Sequence, residues 1–250
     1  MSVLSLGGDP GLAFGVGLLL VIPVALARAA TWSGLILGGA AAAWFTFAGG
    51  APTVAAFGAL VLGGTAAARA GRARKEALGV AESRGGRRSA RNVLANAGPA
   101  AALLLIGVWR SGAGDGSFTF VVAACGALAA SLADTVAGEL GMLTDATPRR
   151  LLFGRVAKRG ENGAMSIPGT AFAVVASLVT GGLVATLLPA SAAFGAVLVA
   201  VLTGGVAGAV LDSVLGATIE GRGGCDNEVV NACASLGGGL CALGLYGGAS

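Results

Sequence analysis

Long apolar runs dominate this chain, and they constrain its fold more than any other feature. Of the 250 residues, 55% are hydrophobic and only 11% are charged, and the mean hydropathy is +0.84. Soluble domains carry roughly 25% charged residues, and one water-soluble core could not hide this much apolar surface. A bilayer can, because about 20 apolar residues span its hydrocarbon as a helix. The sequence therefore predicts an all-α polytopic membrane protein.

Eight apolar runs can be delimited, each near the length of one membrane crossing. We place them at about residues 11–30, 31–49, 52–70, 92–110, 117–141, 166–188, 190–219 and 227–248. They are expected to form one bundle, so that residues 1–250 make a single integral membrane domain. The 45 glycines are dispersed through these runs, a pattern that favours close packing of helices in lipid.

The basic residues predict how the bundle is oriented. Of the 16 Lys and Arg residues, eight lie between the third and fourth runs and five between the fifth and sixth. Arg28 and Arg222 occupy the two other loops on that side, and only Arg110 lies on the opposite side. By the positive-inside rule, the four basic loops face the cytoplasm and both termini face outward. The protein is accordingly expected in the cytoplasmic membrane of the cell.

Three carboxylates interrupt the apolar runs: Asp134 and Glu139 in the fifth, and Asp212 in the seventh. A charged group at the centre of a membrane helix costs about 2.5–3.5 kcal/mol on insertion scales, so such residues face protein or water and commonly serve function. Both runs end at the cytoplasm, which places the acids near that face. At the same depth, the starts of runs four, six and eight contribute Asn92, Asn96, Asn162, Asp226, Asn227 and Asn231.

The residue types narrow the chemistry of this polar site. The chain has no histidine, which excludes a Ser-His-Asp triad and any His-ligated metal, and it has no CxxC pattern that would predict zinc. Carboxylate and amide oxygens suit Mg²⁺, and the neighbouring Arg and Lys residues suit phosphates. Together they predict phosphoryl or nucleotidyl transfer on a membrane-embedded substrate, a reaction that needs positioning and charge neutralisation above all.

Five blocks of the sequence resemble, in order, the motifs of the membrane phytyl-phosphate and prenyl-phosphate kinase family. The blocks are RSARNVLANAGPAA (88–101), ASLADTVAGELG (130–141), ENGAMSIPGT (161–170), GAVLDSVLGATIE (208–220) and DNEVVNACASLGG (226–238). The resemblance covers about residues 70–240 and extends distantly to CTP-dependent polyprenol kinases and CDP-diacylglycerol synthases. It implies transfer of phosphate from a nucleoside triphosphate, with CTP preferred, to an isoprenoid monophosphate such as phytyl or geranylgeranyl phosphate.

On this hypothesis each block contributes to one site. Asp134, Glu139, Asp212 and Asp226 are expected to be catalytic, and the three aspartates among them to hold Mg²⁺. Nucleotide and substrate are expected to contact Asn92, Asn96, Arg88, Arg91, Thr135, Lys158, Asn162, Gly163, Ser166, Ser213, Asn227 and Asn231. The chain departs from the family pattern at Val136, where an aromatic residue is frequent, and in its short GRGGC loop.

Alternatives remain open at this level. The acids are also compatible with a polyprenol kinase, with a cytidylyltransferase that acts on a membrane lipid, or with an ion-coupled secondary transporter. Transporters favour charges near the bilayer midplane and inverted repeats, whereas these acids gather at one face. Asp226 could instead cap the last helix, and Glu139 could be a solvated charge at a helix end. The expected partners are a nucleoside triphosphate, an isoprenoid phosphate and the bilayer, without nucleic acid; homo-oligomerisation is an open alternative.

Overall fold

The computed structural model describes residues 9–80, 87–111, 118–150, 154–220 and 224–248. Over these residues the chain forms eight α-helices: α1 (Pro10–Leu26), α2 (Trp32–Arg69), α3 (Arg72–Ala77), α4 (Ala90–Ser111), α5 (Phe118–Gly141), α6 (Ile167–Leu187), α7 (Phe194–Thr218) and α8 (Asn227–Gly247). The two-residue strands β1 (Arg149–Arg150) and β2 (Ala164–Met165) pair antiparallel. Six helices, α2 and α4 to α8, are long and apolar enough to cross a membrane, and α1 is apolar but has 17 residues. The predicted all-α polytopic fold is confirmed.

Helix α2 folds back on itself at Gly50. This glycine has φ 68° and ψ −156°, outside the helical region. The Thr53 hydroxyl donates a hydrogen bond to the Phe45 carbonyl at 2.7 Å, and the ring centroids of Phe45 and Phe57 are 5.0 Å apart. In a straight helix, residues 12 positions apart are separated by about 18 Å. The arms 32–49 and 51–69 are therefore antiparallel, as expected for two separate crossings.

Capping side chains set the start of four helices. The carboxylate of Asp9 accepts hydrogen bonds from the first turn of α1, and the hydroxyl of Thr31 caps α2. The Ser166 hydroxyl accepts from Gly169 N at the start of α6, and Asp226 accepts from Val229 N at the start of α8. Such side chains satisfy backbone N–H groups that have no helical partner. Ser166 and Asp226, both predicted site residues, thus shape helix ends.

Helix α5 lies at the centre of the bundle, in contact with α2, α4, α6, α7 and α8. Small residues let these helices approach closely. A Cβ on Gly208 of α7 would overlap the Ala130 methyl of α5, and a Cβ on Gly204 would stand 2.5 Å from the Gly238 carbonyl of α8. This GxxxG pair packs α7 against both neighbours, a common arrangement in lipid. The close packing brings Asp212 of α7 towards Asp134 of α5.

One end of the bundle, which we call the basic face, carries Arg69, Arg74, Arg88, Arg91 and Arg159. Long-range contacts join its helix ends: the Thr31 amide donates to the Arg88 carbonyl at 3.0 Å, and Arg74 pairs with Asp145 at 2.8 Å. The opposite end holds the Gly50 turn and the hydrogen bond from the Tyr246 hydroxyl to the Ala192 carbonyl. Arg222, which also entered the orientation prediction, lies outside the described residues.

Candidate active site at the basic face

A polar cavity of about 410 Å³ lies at the basic face. It is bordered by α4, α5, α6, α7 and α8, and by the loop of residues 159–166 that includes β2. Its lining includes most of the residues that the five sequence blocks single out. They are Arg88, Asn96, Asp134, Thr135, Glu139, Asn162, Gly163, Ser166, Asp212, Ser213, Asn227 and Asn231. The volume falls in the range of about 300–1,000 Å³ typical of small-molecule sites.

Two carboxyl groups face each other inside this cavity. Asp134 of α5 and Asp212 of α7 are close enough to interact directly. The Asp212 Oδ1 atom is buried without a hydrogen-bond partner among the described residues. An unsatisfied buried oxygen costs about 1–3 kcal/mol, and more when the group is charged. The pair is therefore an arrangement that a bound cation would stabilise.

The donor chemistry around this pair fits Mg²⁺. This ion is commonly held by one or two carboxylates, and it keeps several waters and the oxygens of substrate phosphates. Two aspartates with nearby amide and hydroxyl oxygens meet that description. In the part of the chain that the structure describes, no three Asp, Glu or Cys side chains group tightly enough for an all-protein metal site. Asp134 and Asp212 thus fit such a site, and Asp226, the third aspartate expected to hold the metal, does not line the cavity.

Glu139 has a different role from the one predicted. Its carboxylate accepts a hydrogen bond from the Lys75 ammonium at 2.6 Å, and the two side chains are only 8% and 3% exposed. Lys75 also donates to the Ala67 carbonyl at 2.9 Å. The short helix α3 delivers Lys75, because Gly71 adopts φ 59° and turns the chain back. Glu139 is therefore neither a solvated helix-end charge nor a member of the Asp134–Asp212 pair.

Asp226 is the second acid whose surroundings differ from the prediction. One carboxylate oxygen caps α8 and the other pairs with Arg91. Neither Asp226 nor Arg91 lines the polar cavity. The helix-capping alternative for Asp226 is confirmed, and its partnership with Arg91 fixes the start of α8 against the start of α4. Residues Asn227 and Asn231 of α8 are thereby positioned on the cavity wall.

The basic residues divide into two groups. Arg88 and Arg159 line the cavity, whereas the predicted Lys158 does not; its backbone N–H donates to Glu161 Oε2. Glu161 also binds the guanidinium of Arg150. The Lys158 amide and the Arg150 cation hold the pKa of Glu161 below its usual value of 4.5. These contacts order the base of the loop that carries Arg159 to the cavity.

The predicted asparagines have different hydrogen-bond partners and positions. Asn92 is a local cap, since its side-chain oxygen accepts from the Ser89 N–H and hydroxyl, each at 2.9 Å. Asn96 donates to the Asn92 carbonyl at 2.8 Å and faces the cavity. Asn162 donates to Glu220 at 2.5 Å. The side-chain amide of Asn96 therefore bonds within its own helix, α4.

Gly163 is required by the backbone of the loop. It has φ 74°, and a Cβ there would stand 2.6 Å from the Ser213 carbonyl and overlap the backbone of α7. Glycine adopts such conformations without steric cost. The loop of residues 159–166 consequently packs directly on α7 beside Asp212, which closes one wall of the cavity.

Glu220 was missed by the sequence reasoning. It lines the cavity just beyond the end of α7 and accepts the Asn162 hydrogen bond. Burial, together with the nearby charges of Asp226 and Glu228, raises the pKa of Glu220. The sequence spacing could have indicated this position. Glu220 follows Asp212 by eight residues, or about two helical turns, and residues at this spacing lie on one side of a helix.

Comparisons with known proteins place the chain in a family. A family model described as integral membrane protein DUF92 matches residues 15–239, which include all five motif blocks. A 174-residue region is 30% identical to the chloroplast protein VTE6 of Arabidopsis thaliana, covering 67% of this chain and 50% of that protein. Protein PGR of the same plant is 32% identical over 181 residues, covering 65% of this chain and 63% of PGR.

An archaeal relative, an uncharacterised membrane protein of Methanocaldococcus jannaschii, is 35% identical over 121 residues, or 48% of each chain. The matched regions thus span about half to just under two thirds of these relatives. No solved structure matches the chain. Since the family model covers well over half of its length, this chain belongs to the family of integral membrane proteins DUF92.

Proposed function

We propose that the protein transfers a phosphoryl group from a nucleoside triphosphate to an isoprenoid monophosphate at the basic face. The observation that carries this proposal is the Asp134–Asp212 pair, because the buried Asp212 Oδ1 atom has no hydrogen-bond partner among the described residues and the cavity is also lined by Arg88 and Arg159. Facing carboxylates attract a divalent cation, and the arginines attract phosphates. Few reactions other than phosphate chemistry need both at a membrane surface.

The proposed reaction needs no nucleophile from the protein. An oxygen of the isoprenoid monophosphate attacks the γ-phosphorus, the bond to the β-phosphate oxygen breaks, and the products are a nucleoside diphosphate and an isoprenoid diphosphate. Asp134 and Asp212 would hold Mg²⁺, which neutralises the phosphate charge that develops during transfer. Arg88 and Arg159 would orient the phosphates, and Asn96, Asn227 and Asn231 would offer amide groups to the nucleotide.

We propose an isoprenoid monophosphate as the acceptor, CTP as the donor and a cytoplasmic orientation for the site. The ordered motif blocks resemble prenyl-phosphate kinases, and CTP preference is what that resemblance implies. The relatives include a plant chloroplast protein, which is compatible with action on phytyl or geranylgeranyl phosphate. The distribution of basic residues favours a cytoplasmic position for the basic face, where soluble nucleotide is available.

The test uses purified protein in nanodiscs with Mg²⁺, γ-labelled CTP or ATP, and geranylgeranyl or phytyl monophosphate. We expect label in the isoprenoid diphosphate for the wild type, and none for Asp134→Asn or Asp212→Asn. Glu76→Gln is the matched control, because Glu76 is exposed, pairs with Arg72 within α3 and does not line the cavity. Transfer that survives in either aspartate variant would contradict the assigned site.

The same assay separates the alternatives. A cytidylyltransferase would move the α-phosphate of CTP to the lipid and release pyrophosphate, so α-labelled CTP would label the lipid and γ-labelled CTP would not. A polyprenol kinase would prefer the free alcohol as acceptor. Absence of turnover with every nucleotide, together with ion-coupled uptake into liposomes, would favour a transporter.

A further inference from the structure

A second, narrower cavity borders the polar one. It holds about 100 Å³ and lies between α1, both arms of α2, and α4. Over most of its length the walls are apolar. They are formed mainly by Leu20, Val24, Leu35, Phe57, Leu60 and Val61. We call this cavity the apolar groove.

Three residues join the groove to the polar cavity. Arg88, Asn96 and Thr135 line both of them. The groove is therefore largely apolar along its walls, apart from Thr65 and Asn92, and it is also polar where it borders the cavity that contains Asp134 and Asp212. An amphiphile with a hydrocarbon chain and an anionic head matches this division of surface, because the chain gains by burial and the head meets the arginine.

Glycines of α2 keep the groove open. Gly34 packs against the Arg88 carbonyl, so it lies at the depth of the basic face. Gly38 is one helical turn deeper, about 6 Å along the helix axis, and a Cβ built there would meet nothing within 4 Å. The space that a side chain at residue 38 would occupy is thus part of the groove.

The size of the groove limits its occupant. An engineered cavity of about 150 Å³ is known to bind benzene, so a groove of about 100 Å³ encloses roughly one branched five-carbon unit. It has room for one hydrocarbon chain beside the head and not for two. This favours a single-chain monophosphate over a diacyl lipid such as phosphatidic acid.

We infer that the apolar groove between α1, α2 and α4 binds the head-proximal part of the single hydrocarbon chain of the phosphate acceptor. The acceptor phosphate would then lie at the shared residues Arg88, Asn96 and Thr135, and the remainder of the chain would extend into the bilayer. This inference rests on the proposed function for the identity of the head group. Its test does not rest on turnover.

Photo-crosslinking in nanodiscs tests the groove directly. The probe is a geranylgeranyl monophosphate with a diazirine in its first isoprene unit, and labelled peptides are located by mass spectrometry. We expect labelling around Val24, Leu35 and Val61, competed by unlabelled geranylgeranyl monophosphate and not by phosphatidic acid. Labelling elsewhere on the lipid-facing surface, or equal competition by phosphatidic acid, would overturn the inference.

Two glycine-to-leucine substitutions provide a test variant and its matched control. Gly38→Leu fills the groove and should reduce groove labelling at least tenfold. Gly182→Leu in α6 is the control, because Gly182 is also half-buried, also has open space at its Cβ and does not line the groove. If Gly38→Leu does not fold, Gly38→Ala replaces it, with a smaller loss expected. Unchanged labelling in a folded residue-38 variant would refute the groove assignment.

The outcomes for groove and reaction can be told apart. Groove labelling without transfer from any nucleotide would disprove the kinase proposal and leave the chain-binding site in place. Phosphoryl transfer together with labelling outside the groove would disprove the chain-binding site and leave the kinase proposal in place. For a correct groove, Gly38→Leu should also raise the KM for geranylgeranyl monophosphate, while the KM for the nucleotide stays unchanged.

Discussion

Helix α5 carries two acidic residues, Asp134 and Glu139, five positions apart, and their surroundings differ. Glu139 is paired with Lys75 at 2.6 Å and has its own cation inside the protein. Asp134 meets another carboxylate, Asp212, one oxygen of which has no partner among the described residues. The first acid has a buried cation of its own, whereas the second is attracted by Arg88 and shares its cavity with another carboxyl group.

The group that a buried acid faces distinguishes a structural acid from a candidate site residue better than burial alone does. Both residues lie in a strongly apolar helix, and insertion cost flags both equally. Only the partner distinguishes them: Glu139 is buried with a lysine, and Asp134 with a second acid, an arrangement that we expect a bound cation to stabilise. Neutralising substitutions should therefore lower the free energy of unfolding at the Lys75–Glu139 pair and raise it at the Asp134–Asp212 pair. Mg²⁺ should stabilise the protein only through the Asp134–Asp212 pair.

The largest effect is expected from breaking the Lys75–Glu139 pair. Lys75→Met leaves Glu139 charged and buried, and removing one partner of a buried ion pair typically costs about 3–5 kcal/mol. We expect that loss in the free energy of unfolding, measured by denaturant titration in micelles. The double variant Lys75→Met/Glu139→Gln should recover part of it. A cost below about 1 kcal/mol for Lys75→Met would show that the pair is not structural.

The next effect comes from Mg²⁺ at the Asp134–Asp212 pair. At a concentration 100 times its Kd, a ligand stabilises the native state by about 2.7 kcal/mol, so Mg²⁺ should raise the unfolding midpoint of the wild type. Asp212→Asn should abolish that rise. Without Mg²⁺ the same substitution should stabilise the protein by about 1 kcal/mol, since active-site residues are often kept at a cost in stability.

Glu139→Gln is the control for the metal experiment. It neutralises an acid on the same helix, lowers stability, and should leave the increment produced by Mg²⁺ intact. Loss of the increment in Glu139→Gln, or its persistence in Asp212→Asn, would remove the distinction between the two acids. Calorimetric titration of Mg²⁺ in the presence of nucleotide provides a second readout.

A smaller effect is expected at Asp226, which the sequence grouped with the metal ligands and the structure places at a helix start. Asp226→Ala should cost about 1 kcal/mol, the usual value for a lost N-cap. Asp226→Asn keeps the cap and should change stability by only a few tenths of a kcal/mol, because exposed ion pairs such as that with Arg91 contribute little. Mg²⁺ stabilisation that disappears in Asp226→Asn would restore Asp226 to the metal site.

The sequence predicted the parts of this structure that follow from local pattern and from the bilayer. Hydropathy located the crossings, and the break at Gly50 was visible as a glycine-rich stretch before Pro52. Helices α5 and α7 cross the membrane in the same direction, and Asp134 and Asp212 both lie near their C-terminal ends, so the two residues could be expected at one depth. Their direct meeting depends on the close packing at Gly204 and Gly208, which a GxxxG pattern indicates.

What the sequence could not supply are partners that depend on tertiary geometry. Lys75 lies in RARKEA, which is typical of a solvated basic loop, and its acid is 64 residues away. Its burial arises because Gly71 turns α3 back towards α5, and no local spacing encodes that turn. The apolar groove likewise needs α1, α2 and α4 together, so no single block of sequence reveals it.

The smallest effect is expected at Glu161, a half-buried acid with partners on the loop beside the cavity. Its contacts with the Lys158 amide and Arg150 lower its pKa in the folded protein. A lowered folded pKa means that ionised Glu161 contributes stability above the unfolded pKa, near 4.5, and that this contribution is lost as the pH falls through the folded value. The wild type should therefore exceed Glu161→Gln slightly in unfolding midpoint at pH 7, and the difference should vanish in acid.

Glu220 should behave in the opposite sense, because its pKa is raised. Its ionisation is disfavoured in the folded protein, so the unfolding midpoint of Glu220→Gln should rise above that of the wild type as the pH increases through the raised pKa. The two midpoints should coincide below the pKa of Glu220 in the unfolded chain. Midpoints measured from well below pH 4.5 up to about pH 8 for the two variants test both signs. Parallel curves for both would mean that the contacts of Glu161 and the burial of Glu220 do not shift the pKa values of these two acids in the folded protein.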